Sequence, residues 1–222
     1  SLRNLGTDYI DLYYFHHGSY IGPGYDAHGN VQPEHDYLHE AAATMHALVK
    51  EGKVRAIGQS AYSDADFERA IPVLKPDVLQ NKANMRYDAF IRPGCKLQSL
   101  MAAHGCTFVA FGPLDQGILL DKFDPENPPT FAEGDVRNGR MDVKPEKLRT
   151  IKPKLQELKK RFGPTTEDLA SAATRFVLAH DHVCSAIPGF RNESQARCNL
   201  RAATDAPMSQ SDLEFCRKLF AE

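Results

Sequence analysis

Two adjacent imidazoles, His16 and His17, end the apolar, aromatic run in "DLYYFHHGSY". An imidazole can ligate a metal, move a proton or orient a carbonyl. Side chains alternate along a strand, so His16 and His17 point to opposite sides. One is the candidate for chemistry and the other a structural polar group. His28, His35 and His39 follow, and the last two have helical i, i+4 spacing. No Cys or carboxylate completes a ligand set at strict spacing, so no metal is expected. Other polar residues sit just past apolar runs. Ser60 follows "VRAIGQ", Gln80 ends "PDVLQ", "GPLDQG" follows "CTFVAF" and "PGFR" follows "VCSAI". The glycines in the last two expose backbone N–H groups, as a phosphate cradle requires. Arg191, attached to the second, can fork onto a phosphate or pair with Glu193 on the surface. Phe111 can stack on a ligand or simply belong to the core.

The elements that must carry these residues alternate. Strand-length runs, rich in β-branched or aromatic residues, cover 9–15, 54–58, 76–80, 106–111 and 183–187. Helical patterns are predicted over 36–51, 63–71, 94–104, 146–161, 165–180, 192–203 and 209–221. In the first, Leu38, Ala42, Met45 and Val49 form one stripe. Such alternation predicts parallel strands covered by helices, with ligands at the carboxyl ends of the strands. Two Gly/Pro-rich loops stand out, 18–33 and 123–139, and "AHGN" in the first suits a small hairpin.

The totals narrow the classes. With 222 residues there is enough chain for one sizeable core. A formal net charge of -2 gives no electrostatic reason to expect nucleic acid or an anionic membrane as partner. No apolar run approaches the about 20 residues that span a bilayer. The five cysteines are odd in number and contain no CxxC pair, which fits a reducing, cytoplasmic setting. The chain opens on Ser1 rather than Met, which suggests a missing natural start.

"SLRNLGTDYIDLYYFH", "LVKEGKVRAIGQSAYS", "DVLQNKANM", "FVAFGPLDQGILLDKF", "TFAEGDVR" and "AIPGFRNESQARCNL" together resemble successive motifs of the aldo-keto reductases. The likeness is greatest to the bacterial general-stress-type branch. It implies a (β/α)8 barrel that binds NADPH and reduces small aldehydes or ketones by hydride transfer. His16 then matches the catalytic histidine that orients the carbonyl. Ser60 and Gln80 match groups bonding the nicotinamide carboxamide, and Phe111 the aromatic that stacks on its ring. Gly112 and the stretch Leu114 to Gly117, including Gln116, match the pyrophosphate loop. Lys122 matches a cationic contact, with Arg137 in a similar part. Gly189, Arg191, Gln195 and Asn199 match the segment around the adenosine and its 2′-phosphate.

The departures have consequences. Ala61 stands where the family usually has Asn, Cys198 where it has Glu, and Phe111 where it has Tyr or Trp. The 18–33 loop is longer than the usual connection. Counting back from the last strand makes "YIDLYYF" the fourth barrel strand. The expected fold is therefore α/β, a partial (β/α)8 barrel of strands four to eight, with the first three βα units missing. It would be a single incomplete domain over 1–222. Those absent units carry the family's Asp, its proton-donating Tyr and the Lys that lowers that phenol's pKa. A phenol near pKa 10 is otherwise a poor acid at neutral pH. Tyr20, Tyr25 and Tyr37 are the local substitutes to weigh, none with a placed lysine. Two readings stay open: a fragment of a longer reductase, inactive on its own, or a naturally truncated, non-catalytic NADPH-binding or scaffold protein.

Overall fold

The computed structural model describes residues 1–16, 18–25, 30–135 and 143–221. Five strands hydrogen-bond in one sheet in the order β1 (Ile10–Phe15), β4 (Val54–Ser60), β5 (Val78–Lys82), β6 (Thr107–Phe111) and β7 (Val183–Ile187). Two more, β2 (Ile21–Tyr25) and β3 (Val31–Asp36), form a separate antiparallel pair. The expectation of a partial (β/α)8 barrel is corrected by this topology. What the strands build is a five-stranded sheet with β1 and β7 at the two ends of the order. Counting motifs along a chain identifies strands but not their closure, which depends on partners distant in sequence.

The chain divides into two compact units, Ser1–Asn81 with Phe90–Val109, and Lys82–Ala89 with Ala110–Glu222. In the first, β1 pairs parallel with β4, and β4 with β5. Tyr14 lies opposite Gly58, and a Cβ on Gly58 would fall inside the Tyr14 ring. The connections are helices α2 (Leu38–Lys50), α3 (Asp64–Leu74) and α4 (Lys96–His104), following a single turn α1 (Leu2–Leu5). Ser63 caps α3 by accepting from the Asp66 N–H at 3.2 Å. Leu38, Ala42 and Met45 of α2 pack with Ile57, Ala70 and Leu74 in one apolar cluster. The predicted stripe fails at its last member: Val49 is exposed and Leu48 packs in its place. Val49 stands in the last turn of α2, one residue from its end at Lys50.

The loop at 18–33 forms the hairpin β2–β3, with its tip, 26–29, outside the described residues. Before it, Tyr20 turns fully inward and stacks on Phe15 with ring centroids 4.4 Å apart. Arg69 of α3 secures the turn by donating to the Ser19 carbonyl at 2.6 Å and pairing with Asp36.

Among its described residues the second unit holds a 3-10 turn, Asp115–Leu120, and four helices: α5 (Pro145–Phe162), α6 (Thr166–Leu178), α7 (Glu193–Thr204) and α8 (Gln210–Phe220). Helix α6 is buried almost all round. Its start is a capping box between Thr165 and Asp168. Asp168 also accepts from Arg201 of α7 at 2.8 Å. The Thr165 hydrogen bonds, aided by Arg201, hold the Asp168 carboxyl below the ordinary carboxylate range. No helix among the described residues is long and apolar enough to cross a membrane.

His180 joins the end of α6 to α8. Its Nδ1–H donates to the Phe176 carbonyl at 2.7 Å, and its Nε2 accepts from the Arg217 guanidinium at 3.0 Å. The second contact needs a neutral ring, because only an unprotonated Nε2 can accept. Burial pushes the His180 pKa down from 6.5, and Arg217 pushes it the same way, against backbone hydrogen bonds and Asp88. A depressed folded-state pKa means that the unfolded chain binds the proton first as pH falls. His180 stability is therefore complete above the unfolded value and is lost as pH drops through the folded one. Denaturant midpoints measured across acid pH should fall below about pH 6.5, and His180→Gln should flatten that limb. An unchanged limb in His180→Gln would remove His180 as its source.

Candidate functional site

The loop after β6 departs from ordinary backbone at almost every step. Gly112 has φ 66°, Asp115 48°, Gln116 55° and Gly117 92°. The turns close through Asp115 N–H to the Gly112 carbonyl at 3.0 Å and Gly117 N–H to the Leu114 carbonyl at 2.9 Å. At Gly117 the space for a side chain is taken, because a Cβ would lie 2.6 Å from the Lys122 Nζ. Bare backbone with an ammonium folded over it is the donor set of an anion cradle.

Buried acids hold the two ends of this loop. Asp115 accepts from the Lys82 Nζ at 2.7 Å and the Arg86 Nη1 at 2.5 Å, with its side chain only 4% exposed. Asp121, at φ 52°, is held by Lys152 at 2.7 Å, Lys159 at 2.5 Å and the Gln156 Nε2 at 2.9 Å, all on α5. Burial raises the Asp121 pKa, but the hydrogen bonds and charges of Lys152 and Lys159 outweigh that and hold the carboxyl below its ordinary value.

The loop after β7 is braced by the helix it enters. Asn192 caps α7 by accepting from the Gln195 N–H at 2.9 Å. The Gln195 Oε1 accepts from the Arg191 N–H at 2.8 Å, and the Asn199 Nδ2 donates to the Gly189 carbonyl at 3.3 Å. Arg191 itself is exposed. Glu193, the acid weighed as its surface partner, pairs with Arg197 at 2.6 Å.

These two loops and the start of α6 enclose a cavity of about 560 Å³. Nine residues singled out in the sequence line it: Gly112, Leu114, Gln116, Gly117, Lys122, Gly189, Arg191, Gln195 and Asn199. Phe111 ends β6, half-buried, and its carbonyl accepts from the Ala83 N–H at 3.2 Å. The first unit holds the other three. His16 is the exposed residue following β1, and Ser60 and Gln80 are register partners across β4 and β5. Ser60 is buried, and its carbonyl accepts from the Gly18 N–H at 2.8 Å. Arg137, His17 and His28 lie outside the described residues.

Sequence reasoning passed over Thr166, Glu167 and Ser194, which also line the cavity. The capping box at Thr165–Asp168 was the signal available for the first two. Among the described residues, no group of three or more His, Cys, Asp or Glu is placed to hold a metal ion. Tyr20, weighed as a local acid, is fully buried; burial first, then the neighbouring Tyr37, raise its hydroxyl pKa against an opposing pull from Arg69.

The family model described as "Aldo/keto reductase family" matches residues 1–220. An NADH-specific methylglyoxal reductase of Escherichia coli K12 is 28% identical over 223 residues, taking in 99% of this chain and 61% of that protein. The L-glyceraldehyde 3-phosphate reductase of the same strain is 23% identical, covering 96% of this chain and 59% of its own length. The chain thus spans about three fifths of the length of these curated relatives. Among solved structures, the glycerol dehydrogenase AKR11B4 from Gluconobacter oxydans superposes with a TM-score of 0.72 at 21% identity, over 98% of this chain and 60% of that one. The apo aldo-keto reductase AKR11C1 from Bacillus halodurans gives 0.66 at 23% identity, over 98% and 64%. The likeness thus extends over almost the whole of this chain, whose strands form the five-stranded sheet described above.

The electrostatics of the loop's far end can be tested directly. Asp121→Asn should lower unfolding stability by about 1–3 kcal/mol, because it leaves two lysines without their shared acceptor. The depressed folded pKa places the Asp121 contribution above the ordinary value of 3.8, with loss as pH falls through the lower folded value. Chemical denaturation at neutral and strongly acid pH should show the wild-type advantage at the first and its disappearance at the second. Equal stabilities at neutral pH would refute the role.

Proposed function

Because the chain belongs to the aldo/keto reductase family, we propose that it serves an NADPH-dependent reduction of an aldehyde or ketone, with the phosphates held in the cavity of the second unit. The observation that carries this is the Lys122 ammonium folded over the bare backbone of Gly117, with Arg191 in the same lining. Lys122 and Arg191 supply two cations, and Gly112, Gly117 and Gly189 leave backbone without side chains. That donor set fits a pyrophosphate and a ribose phosphate. When bound, the nicotinamide would supply the hydride.

We assign the remaining steps to this chain's own groups. Phe111 offers a ring face at the end of β6. Ser60, at the carboxyl end of β4, and its register partner Gln80, within β5, offer hydrogen-bonding side chains. His16 orients the carbonyl of a small substrate through a ring nitrogen. A reduced carbonyl must also receive a proton, and no tyrosine of the described residues is assigned that task. We therefore expect the 222-residue chain alone to bind nucleotide without turnover. The odd number of cysteines, with no CxxC spacing, leads us to place the reaction in the cytoplasm.

A second reading takes NADH as the cofactor. It is favoured by Glu167, the one carboxylate lining the cavity among the described residues, since an acid there repels a 2′-phosphate. Nucleotide fluorescence decides between them. NADPH should be bound more tightly than NADH, and Arg191→Ala should weaken NADPH by about 1.5–3 kcal/mol, roughly 10- to 150-fold. Equal affinities, or no loss in Arg191→Ala, would overturn the NADPH assignment. In the protein as encoded, His16→Gln should depress kcat far more than it changes the Kd for NADPH. If affinity collapses instead, His16 is not the orienting group.

A further inference from the structure

We propose that Asp115 is a positioning residue: clasped by Lys82 and Arg86, its carboxylate fixes the left-handed course of the loop Gly112–Gly117 and thereby sets how tightly that loop grips an anionic group. The consequence for nucleotide affinity rests on the function proposed above, whereas the consequence for the loop does not.

The loop needs an external hold. Asp115, Gln116 and Gly117 are three successive residues at positive φ. Glycine adopts that region freely, Asp tolerates it and Gln does so at a cost. Such backbone persists where its surroundings over-determine it. Two turn hydrogen bonds, at the Asp115 and Gly117 amides, are local and reform easily in other turns. The contacts that tie Asp115 itself to a distant segment are its ion pairs with Lys82 and Arg86.

That segment is itself prearranged. Asn84 and Tyr87 exchange backbone hydrogen bonds, each at 3.0 Å. The Asn84 Oδ1 accepts from the Arg86 N–H at 3.0 Å, and its Nδ2 donates to the Gly112 carbonyl at 3.0 Å. The Tyr87 ring lies against both cations, 4.0 Å from the Lys82 Nζ and 5.3 Å from the Arg86 Cζ. The two cations are thus set in place by a turn that already touches the start of the loop.

Geometry separates this role from direct binding. Gly112, Leu114, Gln116 and Gly117 line the cavity, while Asp115, Lys82 and Arg86 do not. The clasp acts through backbone shape. Stability alone is a poor account of it, because buried ion pairs roughly break even against desolvation while imposing a unique arrangement.

The test uses the full chain with Asp115→Asn, Arg86→Met and Arg86→Lys. The first readout is hydrogen exchange at the Asp115-position and Gly117 amides without nucleotide; the second is NADPH affinity by fluorescence; the third is the unfolding midpoint. Asp115→Asn and Arg86→Met should speed the two loop amides on the order of tenfold or more, leave α6 amides unchanged and weaken NADPH to a similar degree. Arg86→Lys keeps the charge and should restore most of both. Wild-type exchange in folded Asp115→Asn or Arg86→Met, with or without a lower midpoint, overturns the proposal. If Asp115→Asn fails to fold, the Arg86 pair decides alone. If exchange rises but wild type binds no NADPH, the loop role stands and the cofactor reading falls. If exchange rises while NADPH affinity holds, the link from loop shape to grip is overturned.

Discussion

A buried carboxylate at positive φ, held between two cations from another element, is the interaction on which this protein's cavity depends. It occurs twice, at Asp115 and at Asp121, and the residues between them form one wall of the cavity. A helix or strand satisfies its own backbone, whereas a run of left-handed residues does not repeat and must be held from outside. Aspartate suits the task because it tolerates that backbone and carries a charge able to reach a neighbouring element. Burial penalises each carboxylate, and paired cations with short hydrogen bonds offset the penalty. Once the ends are fixed, Lys122 can lie on Gly117, where any side chain would collide with it.

The opposite wall follows another rule. Gln195 and Asn199 point back to brace the loop before them, through the Arg191 N–H and the Gly189 carbonyl. Glu193 is taken by Arg197, and Asp168 and Asp205 by Arg201. The acids of α7 and its surroundings are thereby matched to other arginines, and Arg191 keeps its charge for the cavity. Glu167 is the counterweight, an acid placed at the start of α6 where the helix dipole favours it. The balance between these two charges is what a phosphate entering the cavity would meet.

Much of this was legible in the chain. Alternating short apolar runs and amphipathic stripes located the five sheet strands and the seven longer helices to within a few residues, because burial on one side imposes period 2 or 3.6. The position of polar residues after strands found nine members of the cavity, since strand ends converge in parallel sheets. The clasp was not legible. Lys82 and Arg86 read as ordinary charges after a strand, and their partner is about thirty positions away, brought near only by the path of the chain. Asp121 read as part of a familiar motif whose charge partners, on a helix starting at Pro145, have no local signal. The barrel expectation failed for the related reason that strand pairing and closure are non-local. Val49 failed more simply, in the last turn of its helix.

The hairpin shows how one feature can remove chemistry as well as supply it. Its entry carries Tyr20 into the apolar cluster of α2 and α3, stacked on Phe15 and held by the Arg69 turn. A buried phenol gives up its proton less readily. The same turn places Gly18 on the Ser60 carbonyl, where a Cβ would press within 3.1 Å of both the Gln59 amide and the Tyr20 ring. Packing at this position leaves no room for a side chain. Tyr20, the first tyrosine after His16, therefore works as core.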